Sequence, residues 1–341
     1  MPHPLLDRYP DLPYPIAPLG QWPTPVVELP RVGGRTRIYC KREDLAGPLY
    51  GGNKVRKLEF VLGAADGRSL VSIGAVGSHH LLATAVYARQ LGLRAHAILI
   101  PQPGTEHARR NVRVTSANAA VYAAPSYLHV PAAALRAWRQ ARAESGRTPM
   151  WVAPGGSSAL GALGHVALGL EIGADVAEGR LPRPQRVYVA LGTGGTAAGL
   201  WVGLRLAGLD AEVVAVPVVE AIVANGWTTQ QLARKVLDLL PERPALGGLR
   251  VLRGHLGRGY GHPTDGGAEA TAWAREAGLG LEPTYTAKSC AGMLSELRAR
   301  DADEVVLFVQ TVNSRPLDPL LAQAPDALPA AVERLLLPPR R

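Results

Sequence analysis

Residues 186–208 read RVYVALGTGGTAAGLWVGLRLAG, and their pattern decides the architecture. A short apolar run ends at Leu191, five residues of glycine and threonine follow (Gly192, Thr193, Gly194, Gly195, Thr196), and an apolar helical pattern starts at once. A strand that passes through glycines straight into a helix leaves several backbone N–H groups unpaired at a positive helix end, which is a cradle for an anion, most simply a phosphate. A plain strand-to-helix turn would not need so many glycines beside two hydroxyls. The segment is not a Walker loop, because no lysine follows the glycines. The spacing Gly192-x-Gly194-x-x-Ala197, with Glu220 closing the next strand, also matches a dinucleotide fingerprint, and that alternative stays open at this point.

The same alternation extends outward. Apolar runs at 37–41, 69–74, 94–100, 119–124, 186–191, 212–219 and 304–310 read as strands, and segments 54–66, 78–92, 131–144, 158–177, 265–278 and 288–300 carry apolar residues at helical spacing. Strand and helix in turn imply right-handed crossovers and parallel sheets, so the fold class is α/β, doubly wound, with ligands expected beyond the carboxyl ends of the strands. At 341 residues the chain is long enough for two such domains.

Composition narrows the function. The net charge is +9, but the basic residues are scattered and aromatics are only 5%, which argues against a nucleic-acid partner. Cys40 and Cys290 are too few for a disulfide framework or a zinc cluster, and an inert buried thiol is expected at Cys40. No metal is expected. The Pro-rich opening MPHPLLDRYPDLPYPIAPLG has no basic start followed by an apolar core, and no segment has 18 uninterrupted apolar residues. A cytoplasmic protein without a membrane segment is the expectation.

Against this background YGGNKVRKLEF (50–60) stands out. Only five of the 37 basic residues are lysines, and one of them, Lys54, follows a Gly-Gly-Asn turn at the start of an amphipathic run. Arginine serves a solvated face or a phosphate clamp at least as well, whereas lysine alone can lose its proton and attack a carbonyl. The glycines are expected to let the chain approach a cofactor, and the helix start to ease deprotonation. Lys57 is expected to point away from Lys54, Lys41 to sit in a charged strand start, Lys235 in an ordinary helix, and Lys288 merely to open another helix. A nucleophilic lysine together with a phosphate cradle is what an aldehyde cofactor with a phosphate handle, pyridoxal 5'-phosphate (PLP), demands.

Five stretches in order, KREDLAGPLYGGNKVRKLEF (41–60), SIGAVGSHH (72–80), LGTGGTAAGL (191–200), GRGYGHPTDGGAEA (257–270) and EPTYTAKSCAGML (282–294), resemble fold-type II (tryptophan synthase β-like) PLP enzymes. Within these the chain is similar to the group of 1-aminocyclopropane-1-carboxylate deaminase and D-cysteine desulfhydrase, from about residue 23 to residue 310. The resemblance implies that Lys54 is the Schiff-base lysine, with Asn53 beside it also at the cofactor, that Gly192, Thr193, Gly194, Gly195 and Thr196 hold the phosphate, and that Ser78 lies near the substrate carboxylate and α-carbon. It makes Tyr260 and Tyr285 pocket tyrosines and Thr286 the partner of the pyridine nitrogen. It implies a small domain, 48–165, a large one from 1–47 plus 166–341, and a homodimer.

Thr286 is a neutral hydroxyl, as in the desulfhydrase-like members, whereas a carboxylate there would keep the ring nitrogen protonated and strengthen the electron sink. The expected activity is therefore β-elimination from a small amino acid, giving a 2-oxo acid and ammonia; β-replacement, racemisation and a PLP-binding pseudoenzyme are the alternatives. Two positions depart from the group. His79 stands where asparagine usually bonds the ring hydroxyl, followed by His80, for which a plain structural role is expected. Gln310-Thr311-Val312-Asn313 replaces a His-Thr-Gly-Gly pattern, which leads to an expectation of a reshaped substrate pocket.

Overall fold

The computed structural model describes residues 3–300 and 302–338. The elements run α1 (Pro4–Arg8), β1 (Val26–Leu29), β2 (Arg37–Lys41), α2 (Lys54–Gly63), β3 (Leu70–Ala75), α3 (His79–Gln90), β4 (Ala95–Ile100), β5 (Gln102–Pro103), α4 (Glu106–Asn118), β6 (Ala120–Ala123), α5 (Val130–Ser145) and β7 (Met150–Val152). They continue with α6 (Ala159–Ala177), β8 (Arg186–Leu191), α7 (Gly195–Leu206), β9 (Glu212–Pro217), α8 (Gly226–Leu237), β10 (Leu249–Val251), α9 (Asp265–Glu276), α10 (Thr286–Arg298), β11 (Val305–Val309), α11 (Asp318–Leu321), α12 (Ala330–Glu333) and β12 (Leu336–Leu337). The sheets have the orders β1-β2-β11-β8-β9-β10, β6-β4-β3-β7 and β12-β5. Every pairing is parallel except β1 with β2, as the strand–helix alternation requires.

Two compact units form. The larger contains the described residues up to Pro13, Gly20–Lys57 and Ser157–Ser314; the smaller contains Tyr14–Leu19, Leu58–Gly156 and the described residues from Arg315 on. These bounds differ from the expected 48–165. The chain leaves the large unit only after Lys57, one turn into α2, so Lys54 and Lys57 both belong with the large sheet. The C-terminal segment joins the small unit, where Arg109, Arg110 and Arg113 of α4 pair with Glu333, Asp318 and Asp326. The sequence reading missed α4 because its mostly polar run buries little more than Ala108, Asn111, Val112, Val114 and Thr115.

In the large unit the parallel register lines up Cys40, Phe308, Tyr188 and Val214 across four strands. That row is buried against Ala270 and Ala274 of α9 and against Cys290, Met293 and Leu294 of α10. Burial of this face fixes α10 on the sheet and thereby its first residue, Thr286. Both thiols are buried and desolvation raises their pKa values, so they are inert packing groups, as expected for Cys40. Elsewhere in this unit α6 and α7 meet through small residues: a Cβ on Gly199 would run into the Ala162 carbonyl, and one on Gly169 into Gly203. Among the described residues α6 is the one helix long and apolar enough to cross a membrane by length and composition, and most of it is buried in the protein.

The first turn of α2 is anchored in the large unit by a buried ion network. Arg56 donates to Glu43 at 2.6 Å and to Glu171 at 2.9 Å, while Lys41 reaches Glu171 at 2.7 Å and Asp175 at 2.6 Å. Thr24 adds bonds to Glu43 and Glu171, and the Trp22 ring lies 3.7 Å from the Arg56 guanidinium carbon. Lys41, read from the sequence as part of a charged strand start, is therefore a buried counter-charge at the end of β2. Burial alone would raise the Glu171 pKa, but the charges of Arg56 and Lys41 hold it down to about 2.

Glu171→Gln should leave two buried cations short of an anion and cost about 3–5 kcal/mol at neutral pH, the usual cost of breaking one side of a buried pair. Because the folded pKa of Glu171 lies below the unfolded one, its contribution is complete above roughly pH 4.3 and disappears as pH falls toward 2. Urea unfolding at neutral pH and again in acid should show the gap between wild type and variant closing on acidification.

Candidate active site

Lys54 is the first residue of α2, and the turn before it is built by close backbone contact. Gly52 has φ +90° and a Cβ there would lie 2.8 Å from the Thr311 carbonyl; a Cβ on Gly51 would overlap the Asp44 carbonyl. Gly51 N donates to Asn313 Oδ1 at 2.5 Å and Asn53 N to Thr311 O at 3.0 Å. The two glycines thus permit close approach to neighbouring backbone. Asn313 thus supports this turn, whereas Gln310 is fully buried with Nε2 on the Gly280 carbonyl. The departure at Asn313 is therefore part of the mount of the lysine.

The Lys54 amine donates to Asn53 Oδ1 at 2.8 Å, and burial lowers its pKa to about 8. At pH 7 about one molecule in ten then carries a neutral amine, against fewer than about one in a thousand for an ordinary lysine. Asn53 Nδ2 donates in turn to Thr196 Oγ1 at 2.7 Å, which ties the lysine turn to the glycine turn after β8.

That glycine turn is shaped as the sequence suggests. Gly194, with φ +85°, caps α7, which starts at Gly195. The most confined position is Gly195, where a Cβ would stand 2.6 Å from Ser157 Oγ and 2.9 Å from Lys57 Nζ. Ser157 Oγ accepts from Gly195 N at 3.2 Å and from Lys57 Nζ at 3.0 Å, and pairs with Thr193 Oγ1 at 2.6 Å. Lys57, expected to point away, instead brings its amine to the cradle. Three residues along a helix is a rotation of about 300°, only some 60° short of full eclipse, so the two lysines share a face. Burial, and then the charge of Lys54, lowers the Lys57 pKa well below its ordinary value, which an anion in the cradle would reverse. Ser157 was not singled out from the sequence; its signal is the Gly-Gly-Ser-Ser stretch ahead of α6.

At the other side of the large unit's site, the start of α10 and the segment before α9 bring together Tyr285, Thr286 and Tyr260. The Tyr285 ring lies 3.9 Å from where a Gly192 Cβ would stand, and its hydroxyl meets Tyr260 Oη at 2.8 Å, with the rings edge to face. Desolvation raises the pKa of both, Tyr260 to about 12, so both are neutral phenols near pH 7. Thr286 is completely buried, and its Oγ1 accepts the Glu282 N–H at 2.9 Å. The hydroxyl keeps one proton to donate and a second lone pair. The Glu282 carboxylate is used locally, accepting from Thr284 N and Tyr285 N.

Ser78 and His79 belong to the small unit. Ser78 caps α3, its Oγ accepting from Leu81 N at 3.4 Å, and His79 is the first residue of that helix. His79 Nε2 is 2.8 Å from His107 Nε2, and Asn111 Nδ2 lies 3.2 Å from the same His107 nitrogen. His107 and Asn111 sit on the helix that sequence reading missed. His80 is buried with Ser72 Oγ at 3.0 Å from its Nε2, the plain structural role expected of it.

Buried amines, a donor-lined cradle and a neutral hydroxyl define a site for a phosphate-bearing carbonyl cofactor, and comparison with known proteins agrees. Residues 17–311 match the family described as pyridoxal-phosphate dependent enzyme, and the chain belongs to that family. It is 34% identical over 304 residues to a D-cysteine desulfhydrase of Salmonella choleraesuis, covering 85% of this chain and 91% of that one. It is 33% identical over 306 residues to a nocardicin C-9' epimerase of Nocardia uniformis, covering 87% and 92%. A crystal structure of an ACC deaminase homologue superposes with a TM-score of 0.76 at 27% identity, over 95% of this chain and all of that one. The protein is a PLP-dependent enzyme of fold type II. The dinucleotide alternative falls with this match, and Glu220 has another role, accepting the Tyr260 N–H at 3.2 Å.

Lys57→Met should remove a charge-assisted contact to a bound anion worth about 1.5–3 kcal/mol, a loss of roughly 10- to 100-fold in affinity. Calorimetric titration of the cofactor-stripped protein with inorganic phosphate measures it. In wild type the same titration should show proton uptake, because an anion raises the depressed Lys57 pKa.

Proposed function

We propose that the protein is a lyase of the D-cysteine desulfhydrase type, taking a β-substituent from a small amino acid and releasing a 2-oxo acid and ammonia. The observation that carries this reading is Thr286, a buried neutral hydroxyl and not a carboxylate, whose oxygen accepts the Glu282 N–H and which keeps one O–H proton to donate. A donor there suits a ring nitrogen that bears no proton.

Bound PLP would supply an aldehyde for the amino group and a ring that withdraws electrons from the α-carbon. The chain's residues would do the rest. Lys57, Ser157, Thr193 and the N–H of Gly195 would hold the phosphate, exchanging the contacts that they now make around Ser157 Oγ for contacts to the anion. The Lys54 amine, with its lowered pKa, can accept and return a proton near neutral pH, the requirement for a base at the α-carbon. Tyr260 and Tyr285, as neutral phenols, can donate to a carboxylate or to a departing thiolate but are poor bases. Ser78 and His79 would serve the substrate carboxylate and the ring hydroxyl, as the resemblance implies. With a weak electron sink, loss of the β-substituent competes well against return of the proton to carbon.

A second reading is favoured by one finding: a relative of the same similarity is an epimerase, and epimerisation needs the same proton removal without the elimination. We also read the protein as a cytoplasmic homodimer, supported by its buried reduced thiols and by analogy with the group.

Borohydride treatment of the yellow protein followed by peptide mapping should place a single pyridoxyl label on Lys54; a label on Lys57 or Lys288 would overturn the assignment of the amine. The choice of reaction is tested by Thr286→Glu. An anion at this position should protonate the ring nitrogen, strengthen the sink and raise α-proton exchange in deuterated water relative to 2-oxo acid release from D-cysteine. An unchanged ratio in a folded, PLP-binding variant would remove the support for β-elimination, and exchange without any 2-oxo acid in wild type would favour the epimerase reading.

A further inference from the structure

Lys288 is wholly buried in the third position of α10, two residues after Thr286, and the chemistry above gives it nothing to do. Its amine donates to the carbonyls of Leu256 at 2.8 Å and Gly259 at 2.9 Å. Both belong to the irregular stretch between β10 and α9 that carries Tyr260. Four glycines in eight residues of this stretch, 254, 257, 259 and 261, have positive φ, so its backbone has much freedom to lose and few side chains to hold it. Gly259, at φ +126°, admits no Cβ easily, and one would sit 3.0 Å from Glu220 Oε1, the atom that accepts the Tyr260 N–H. The segment is thus held at two adjacent residues by opposite charges from two different elements: the Glu220 carboxylate after β9 and the Lys288 amine of α10.

We propose that Lys288 is a positioning residue for Tyr260: by clamping the Leu256 and Gly259 carbonyls it fixes the glycine-rich segment so that the Tyr260 hydroxyl meets that of Tyr285 beside the phosphate cradle. The clamp stands on geometry; its consequence for turnover rests on the proposed function. An arginine would not fit the compact bifurcated contact, which accounts for a lysine here in an arginine-rich chain. Burial, opposed by the charges of Glu282 and Glu220, lowers the Lys288 pKa to about 8, and the phenols of the segment it holds in place, Tyr260 and its partner Tyr285, stay neutral well above that pH. Loss of the proton turns two charge-assisted bonds into neutral ones of about half the strength, so the clamp weakens on the alkaline side.

Hydrogen exchange read by mass spectrometry on the PLP-loaded protein tests the clamp without reference to activity. In Lys288→Met, amides of residues 254–262 should exchange about tenfold faster or more, the factor that one lost bond of this kind converts to, with α9 and the sheet unchanged. Wild type gives an independent reading: protection of the same segment, corrected for intrinsic exchange, should fall between pH 7 and pH 9.5. Unchanged exchange in the variant, or unchanged protection across that pH range should the variant not fold, overturns the proposal.

The functional half is tested by a double-mutant cycle on D-cysteine elimination. Lys288→Met should lower kcat with PLP content unchanged, and adding it to Tyr260→Phe should lower kcat no further. Additive losses would show that Lys288 does not act through Tyr260. No elimination in wild type would instead sink the proposed function, leaving the exchange result to decide the clamp.

Discussion

Arg56 is buried between Glu43 and Glu171 against the Trp22 ring, with Lys54 two residues before it and Lys57 next in the chain. A guanidinium in that position cannot shift without leaving carboxylates uncompensated in the interior, so the first turn of α2 has one placement. That placement sets the height of the Lys54 amine and turns Lys57 to the glycine cradle. The turn is secured from its other end by the Thr311 carbonyl and the Asn313 side chain, which hold Gly51 and Asn53. Rigid mounting matters because an amine with a lowered pKa is useful only if it stays in its desolvated place; a mobile lysine would reach water and regain its proton.

The distribution of lysine follows from the same physics. Of the five, Lys41, Lys57 and Lys288 are buried, Lys54 is mostly so, and Lys235 alone keeps the surface role that arginine fills elsewhere. Lys41 is a compact counter-charge for two carboxylates, Lys57 an amine set against the glycine turn, Lys54 a titratable amine and Lys288 a clamp on two carbonyls. Each task calls for a small ammonium whose proton affinity responds to burial, which guanidinium cannot supply.

Within the large unit, sheet packing and site geometry are one problem. The apolar row through Cys40, Phe308, Tyr188 and Val214 seats α10, and with α10 come Tyr285, Thr286 and Lys288. The glycine turn after β8 and Tyr285 at the start of α10 are brought to the same place by a register fixed several residues below them.

One part of the protein is governed by local pattern and legible in the chain alone. The strand–glycine–helix stretch at 186–208, the alternation of apolar runs, the lysine after Gly-Gly-Asn and the hydroxyl at 286 are each readable over ten or twenty residues, and they sufficed for the fold class, the cofactor and the family. The tertiary structure alone decided which distant groups meet. Nothing local says that Ser157 lies against Gly195, that Asn313 supports Gly51, that His107 reaches His79 from a helix too polar to be noticed, or that Lys288 grips the segment carrying Tyr260. The reason is that hydrophobic periodicity encodes which face of an element is buried, whereas polar contacts in the interior arise only after those faces pack, between residues whose separation in sequence leaves no common period to read.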